Sequence, residues 1–311
     1  MRRLRRFLPL IQLAISVALL AVLWQALDGR DAAEILRGAE AGWLAAAFAA
    51  LTLQTALSAR RWQITAARLG QSFGFGHALA EYYLAQFVNQ ALPGGLVGDA
   101  GRAVRARHRA GMVRAGQAVA FERFAGQAAL FVTMAAAVTV TALAPGGLVW
   151  PGWLLGPVVL ACAGVAATAA LIAVAPGLPG AVGRALRDLA DAFAASVAAR
   201  DVAARQVALS FATTACNIAA FALCARAVGA PLPLGAVLGL VPLILFTMLI
   251  PLTVAGWGLR EGAAAALFPV AGASAEAGLA ASIAFGLVFV AAVAPGAFGL
   301  IRTGRPGRLR P

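Results

Sequence analysis

The 311-residue chain has no lysine; all 25 of its basic residues are arginine. That absence removes a Walker-type phosphate loop and a Schiff-base lysine, both of which need the ammonium group. Histidine and cysteine are nearly as scarce: His77 and His108, and Cys162, Cys216 and Cys224. So few ligands, with the cysteines inside apolar runs, argue against most zinc or iron–sulfur sites and supply no disulfide framework or redox motif. Charged residues make up only 12% of the chain, about half the ~25% of an ordinary soluble domain. What fills the chain is apolar: 62% hydrophobic residues and a mean hydropathy of +0.86. The 34 glycines and 15 prolines are scattered among these runs rather than gathered in a linker, which suits membrane helices and broken helices. The composition is that of an all-α polytopic membrane protein, and its net charge of +13 is to be explained by topology rather than by nucleic acid.

Four arginines, Arg2, Arg3, Arg5 and Arg6, precede an apolar stretch ending near Leu27 that is long enough to cross the hydrocarbon core. A cleavable signal peptide is the rival reading, but no small-x-small site follows Trp24. Full-length apolar runs follow at Trp43 to Ala59, Ala115 to Leu143, Trp153 to Ala175, Gln206 to Arg226 and Glu276 to Leu300, while His77 to Val97 and Leu234 to Phe268 are interrupted by Pro and Gly. If each interrupted stretch crosses once, the loop arginines divide evenly, 12 and 12, between the two sides, against the positive-inside rule. If each is a re-entrant hairpin, 19 arginines fall on the cytoplasmic side, Arg30, Arg37 and Arg226 outside, and Arg102, Arg123 and Arg260 within the membrane layer. The expectation is therefore six full transmembrane helices plus two re-entrant helical hairpins, with both termini cytoplasmic.

This arrangement gives two halves of opposite orientation, residues 1–150 and 151–311, as in an inverted-topology repeat within one integral membrane domain. A sequence echo supports it. Leu92-Pro93, Gly98 and Arg102 recur, each 158 positions on, as Ile250-Pro251, Gly256 and Arg260.

Broken backbone at membrane depth is tolerated only where it is buried in protein or lines a wet cavity. The breaks at Pro93, Gly94, Gly95 and Gly98, and at Pro251, Gly256 and Gly258, should therefore face one. Before the first break, Tyr82, Gln86, Asn89 and Gln90 recur at i, i+4, i+7 and i+8, on one helical face. After it, Asp99 is placed to cap a returning half-helix with Arg102 in its first turn; Arg260 and Glu261 would begin the second half-helix. Two helix amino-termini, each bearing an arginine, would suit a phosphate or carboxylate. Pairing with Asp99, Glu122 or Glu261 accounts for these arginines by itself, and contact with substrate in addition is the expectation for intramembrane charge.

Glu122 would be a proton-coupling site, the partner of a hairpin arginine, or the partner of Arg123; adjacent residues diverge by about 100° on a helix, so Glu122 and Arg123 should face different partners. Two further stripes, Gln54, Ser58, Arg61 and Thr65, and Gln206, Ser210, Thr213, Thr214 and Asn217, suit a pathway lining and interhelical hydrogen bonding equally. Arg184 to Arg200 reads as an amphipathic interfacial helix.

The motifs Leu-Pro-Gly-Gly-x-x-Gly-Asp-x-x-Arg (Leu92 to Arg102), Glu122-Arg123, and Pro-x-x-x-x-Gly-x-Gly-x-Arg-Glu-Gly (Pro251 to Gly262), in this order, resemble the flippase-like domain of the lysylphosphatidylglycerol synthase transmembrane region. Val97 stands where family members commonly carry another glycine. The resemblance implies movement of lipids between leaflets: aminoacylated phosphatidylglycerol in the fused bacterial proteins, and other polar lipids or lipid-linked intermediates in stand-alone members. This chain is expected to be a stand-alone member without the soluble aminoacyl-transferring domain. The resulting expectation is a flippase-like protein of the bacterial inner membrane, not an enzyme, with no cofactor and with membrane lipids as partners. Its substrate-binding residues would be Gln86, Asn89, Asp99, Arg102, Glu122, Arg123, Arg260 and Glu261. The alternatives are a membrane enzyme acting on a lipid-linked sugar or polyprenyl phosphate, for which no acid/base or metal constellation is visible, and a secondary transporter of a small anion.

Overall fold

Every regular element of the computed structural model is a helix; it describes residues 2–27, 29–92, 95–143, 150–174, 177, 179–250 and 252–299. Four of these helices are long and apolar enough to cross a membrane, or five if one bent pair is counted as a span. That pair is α1 (Arg2–Ala26) and α2 (Gly29–Arg37), which meet at 93°. The expected fourth span is covered by α6 (Gly152–Val174), whose Gly152–Gly164 stretch is a shorter apolar helix.

The frame is set by α3 (Ala41–Arg68) and α8 (Arg200–Ala227), of 28 residues each, a length of about 42 Å. They run antiparallel along their whole length. Glu40 N–H donates to Ala227 O at 2.9 Å, Gln206 Nε2 to Thr65 Oγ1 at 2.9 Å, and Arg68 Nη1 to Asp201 at 3.0 Å. The second span thus continues past its expected end at Ala59, which takes Arg61 out of the cytoplasmic loop where the charge count placed it. It is 4% exposed.

Helix α4 (Phe75–Ala91) and the start of α5 (Val97–Leu143) lie side by side and antiparallel, since Glu81 pairs with Arg105 at 2.7 Å and Asn89 with Gly98 at 2.7 Å. A Cβ on Gly98 would fall 1.9 Å from Ala85 O, so only glycine lets the two arms approach this closely. At Gly111 (φ 83°, ψ 163°) the helical path breaks, and the long apolar span Ala110–Leu143 begins there.

Helix α9 (Leu234–Phe246) passes through a 3-10 turn at Thr247–Leu249 and an irregular segment into α10 (Leu259–Leu267). Ser274 Oγ then accepts from Ala277 N–H to cap α11 (Ala275–Val293). Gly256 and Gly258 hold φ of 81° and 90°, values open to glycine without strain. Helix α1 covers the irregular segment: Ser16 Oγ accepts from Val254 N–H at 2.8 Å.

Two apolar cores result. One joins α3, α8, α9, α10 and α11 with the far half of α5 around Phe221, Leu240, Ile244, Phe268 and Phe285; the other joins the opposite end of α3 with α4, the near half of α5 and α7 (Gly180–Phe193) around Trp62, Val119 and Phe121. On α7, the Phe193 ring packs edge-on to Phe121 at 5.3 Å. The outward faces are also apolar: Val17, Val22, Val132, Val140, Val159, Leu160 and Leu287 are all exposed, as a lipid-facing surface requires.

Candidate functional site

A cavity of about 230 Å³ is lined from both cores. The face of α4 read from the sequence is one wall, with Tyr82, Gln86, Asn89 and Gln90 all lining the cavity. Gln54, Ser58 and Arg61 of α3, Glu122, Arg123 and Gln127 of α5, and Thr213, Thr214 and Asn217 of α8 continue the polar side. Leu245, Met248, Leu249, Ala255, Phe285 and Phe289 add an uncharged, apolar part to the lining.

Glu122 is the hub of the polar side and is fully buried. Its Oε1 accepts from Arg61 Nη2, from Arg61 Nε at 3.2 Å and from Tyr82 Oη at 3.2 Å, while its Oε2 accepts from Arg102 Nη2 at 3.2 Å. Arg61 is held further by Thr213 Oγ1 at 3.0 Å and Ser210 Oγ at 3.3 Å. A Cβ on Gly126 would sit 2.8 Å from Arg61 Nη2, so the glycine leaves room for the guanidinium.

Asp99 is the second hub. The helix starts at Val97, which puts Asp99 inside the first turn, and its carboxylate does not cap. One oxygen takes Arg102 Nη2 at 2.8 Å; the other takes Asn89 Nδ2 at 2.8 Å and Arg123 Nη2 at 3.0 Å. The cap comes instead from the facing arm, where Asn89 Oδ1 accepts from Gly98 N–H. As helix geometry requires of neighbours, Glu122 and Arg123 turn to different partners. The Arg123 side chain is 36% exposed and also reaches toward Gly95 O at 3.5 Å.

The structure brings together Gln86, Asn89, Asp99, Glu122 and Arg123 around the cavity. It sets Arg102 and Arg260 behind the wall. Arg102 is fully buried, with its guanidinium 4.5 Å from both the Trp62 and Tyr82 ring centroids. Its Nε and Nη1 have no hydrogen-bond partner, and the ring faces supply cation–π contact there. Arg260 is likewise fully buried, close to the Trp257 and Phe285 rings at 5.0 and 5.3 Å. It donates to Glu261 Oε1, to Ser282 Oγ at 2.9 Å and to Ser282 O at 3.1 Å. Glu261 in turn accepts from Gly258 N–H at 2.6 Å, tying the start of α10. Gly286 gives Arg260 its space: a Cβ there would lie 2.4 Å from Nη2. Pro93, Gly94 and Pro251 lie outside the described residues.

Arg61 is the site residue that sequence reasoning missed as such. Its signal was present: it belongs to the stripe Gln54, Ser58, Arg61 and Thr65, whereas Arg60 does not. The α8 stripe both bonds to a neighbouring helix and lines the cavity. Gln206, Ser210 and Thr213 bond across to α3, while Thr213, Thr214 and Asn217 line the cavity. Gln86 is fixed in the same way, accepting from Thr55 Oγ1 at 2.8 Å and donating to Gln54 Oε1 at 3.3 Å. Gln127 Oε1, also at the cavity, is buried without a partner. Among the described residues, no three His, Cys, Asp or Glu side chains cluster as metal ligands would.

Helices of membrane-crossing length, apolar outer faces and an enclosed ionic network define a multi-pass α-helical membrane protein. Residues 10–296 match the lysylphosphatidylglycerol synthase TM region, nearly the whole chain, and the chain belongs to that family. No curated protein and no solved structure matches it.

Proposed function

We propose that this chain is a lipid translocase of the bacterial inner membrane, moving an anionic or polar phospholipid or lipid-linked intermediate between leaflets. The observation that carries this reading is the cavity. Its lining combines an arginine-bearing polar set with an apolar set of Leu245, Met248, Leu249, Phe285 and Phe289. A headgroup phosphate matches the first and the glycerol and upper acyl region match the second. Arg123, partly exposed, meets the phosphate. Arg61, Arg102, Asn89 and Tyr82 hold the two carboxylates in place while it does so. The unpartnered Gln127 Oε1 accepts a donor from the headgroup. The chain performs no bond chemistry and carries no cofactor.

In the bilayer, α4 with the first part of α5 forms a re-entrant hairpin from the cytoplasm, and α9 with α10 forms one from outside, related as an inverted repeat. The equal lengths and antiparallel course of α3 and α8 support this. So does the recurrence, in both halves, of a long helix, two short ones and another long one, with one arginine per hairpin buried against aromatic rings. The distribution of basic residues supports a cytoplasmic position for both termini, with α7 at that interface. Reconstitution tests the function. Purified protein in vesicles should speed the exchange of acyl-labelled anionic phospholipid between leaflets, and exchange no faster than in protein-free vesicles would remove the reading.

A further inference from the structure

We propose that the cavity selects lipids whose phosphate is a diester bearing a single negative charge, over phosphomonoester and pyrophosphate lipids. This deepens the translocase reading and rests on it. The basis is the count of charges that the bonding geometry fixes. Both oxygens of Asp99 and both of Glu122 already accept from donors: Arg102, Asn89 and Arg123 on the first, Arg61, Tyr82 and Arg102 on the second. Every group that meets these oxygens is a hydrogen-bond donor, and the charge count takes both acids as carboxylates. Three guanidinium groups against two carboxylates leave one positive charge in excess. The neighbouring pairs Arg105–Glu81 and Arg260–Glu261 are each neutral and do not alter the count.

The excess resides on Arg123. Arg61 and Arg102 are buried, whereas Arg123 shares its single carboxylate oxygen with Asn89 and is 36% exposed. Away from bulk water an unmatched charge is costly. One negative charge neutralises the network. Two overshoot it. A glycerophospholipid diester and a polyprenyl phosphosugar diester present the same charge, so both lie within the predicted class.

Wild-type protein in phosphatidylcholine vesicles supplies the test, with acyl-labelled phosphatidylglycerol and phosphatidate and a prenyl-chain-labelled polyprenyl phosphosugar as probes. At about pH 8, where a phosphomonoester is close to fully dianionic, at least one of the two diester anions should move about tenfold or more faster than phosphatidate. Which of the two moves identifies the source of the diester. Lowering the pH through the phosphomonoester's second ionisation, near 6, turns phosphatidate into a monoanion and should raise its rate toward that of phosphatidylglycerol; this arm uses the unaltered protein. Asp99→Asn raises the excess to two and should erase the preference against phosphatidate. Equal movement of phosphatidylglycerol and phosphatidate at pH 8, with no pH effect on phosphatidate, overturns the charge selection while leaving translocation intact. If no labelled lipid moves faster than in protein-free vesicles, the translocase reading itself has failed, and the selection with it.

Discussion

Arg61 of α3 and Glu122 of α5 are joined through two guanidinium nitrogens on one carboxylate oxygen, both residues buried. The pair closes the polar wall of the cavity, because the same carboxylate reaches Arg102 and Tyr82. A buried pair of this kind is costly to break rather than a large net source of stability, since removing one partner strands the other charge. Glu122→Gln strands two guanidinium groups at once. It should lower stability by about 3–5 kcal/mol, read as a fall in the unfolding midpoint in detergent. The Arg61→Met, Glu122→Gln double variant should lose less than the sum of the two single variants; strictly additive losses would show that the two residues do not interact.

The glycines beside the arginines give a second test. Gly126→Ala and Gly286→Ala push a methyl group toward Arg61 and Arg260 and should each cost about 1–3 kcal/mol through displaced guanidinium groups. Gly116→Ala, on the same helix as Gly126 but with nothing within 4 Å of its Cβ, should be neutral or stabilising by up to about 1 kcal/mol. Thermal melts of the three variants side by side separate these outcomes.

Asn89 clamps the arms of the first hairpin by serving both Gly98 N–H and Asp99. Asn89→Leu should cost about 1–2 kcal/mol and accelerate amide exchange at Gly98 to Arg102 by roughly tenfold. Unchanged exchange there would mean that the clamp does not hold the helix start.

Sidedness tests the hairpin. In a variant lacking Cys162, Cys216 and Cys224, cysteines placed at His77 and Arg107, both exposed, should react with an impermeant thiol reagent from the same side of the membrane. A cysteine at Arg37 should react from the other. Labelling of positions 77 and 107 from opposite sides would mean that α4 crosses.

The helical class was legible in composition alone, and the polar face Tyr82, Gln86, Asn89 and Gln90 in its spacing, because both are local properties of the chain. Partnerships were less legible. Arg61 read as a charge ending a span, since a hydropathy run stops at Arg60-Arg61 whether the helix exits the membrane or continues inside the protein. Its partner Glu122 lies 61 positions away, beyond any helical periodicity. Asp99 looked like a cap because its residue type and place before Arg102 suit one. The cap came from Asn89 on the facing arm, a contact set by how closely Gly98 lets the arms approach. Arg102 and Arg260 were recognisable as charges set in apolar surroundings. That each stands behind aromatic rings rather than on the cavity wall depends on Trp62, Tyr82, Trp257 and Phe285, which composition does not rank.

The central claim is that the headgroup passes through the cavity beside Arg123. Transbilayer exchange of acyl-labelled phosphatidylglycerol in proteoliposomes, compared for wild type, Arg123→Gln and the cavity-filling Asn217→Trp, tests it most directly. The account predicts wild-type exchange above protein-free vesicles and about tenfold or greater loss in both variants, with their helical content and melting behaviour retained. Wild-type exchange rates in both variants would contradict it.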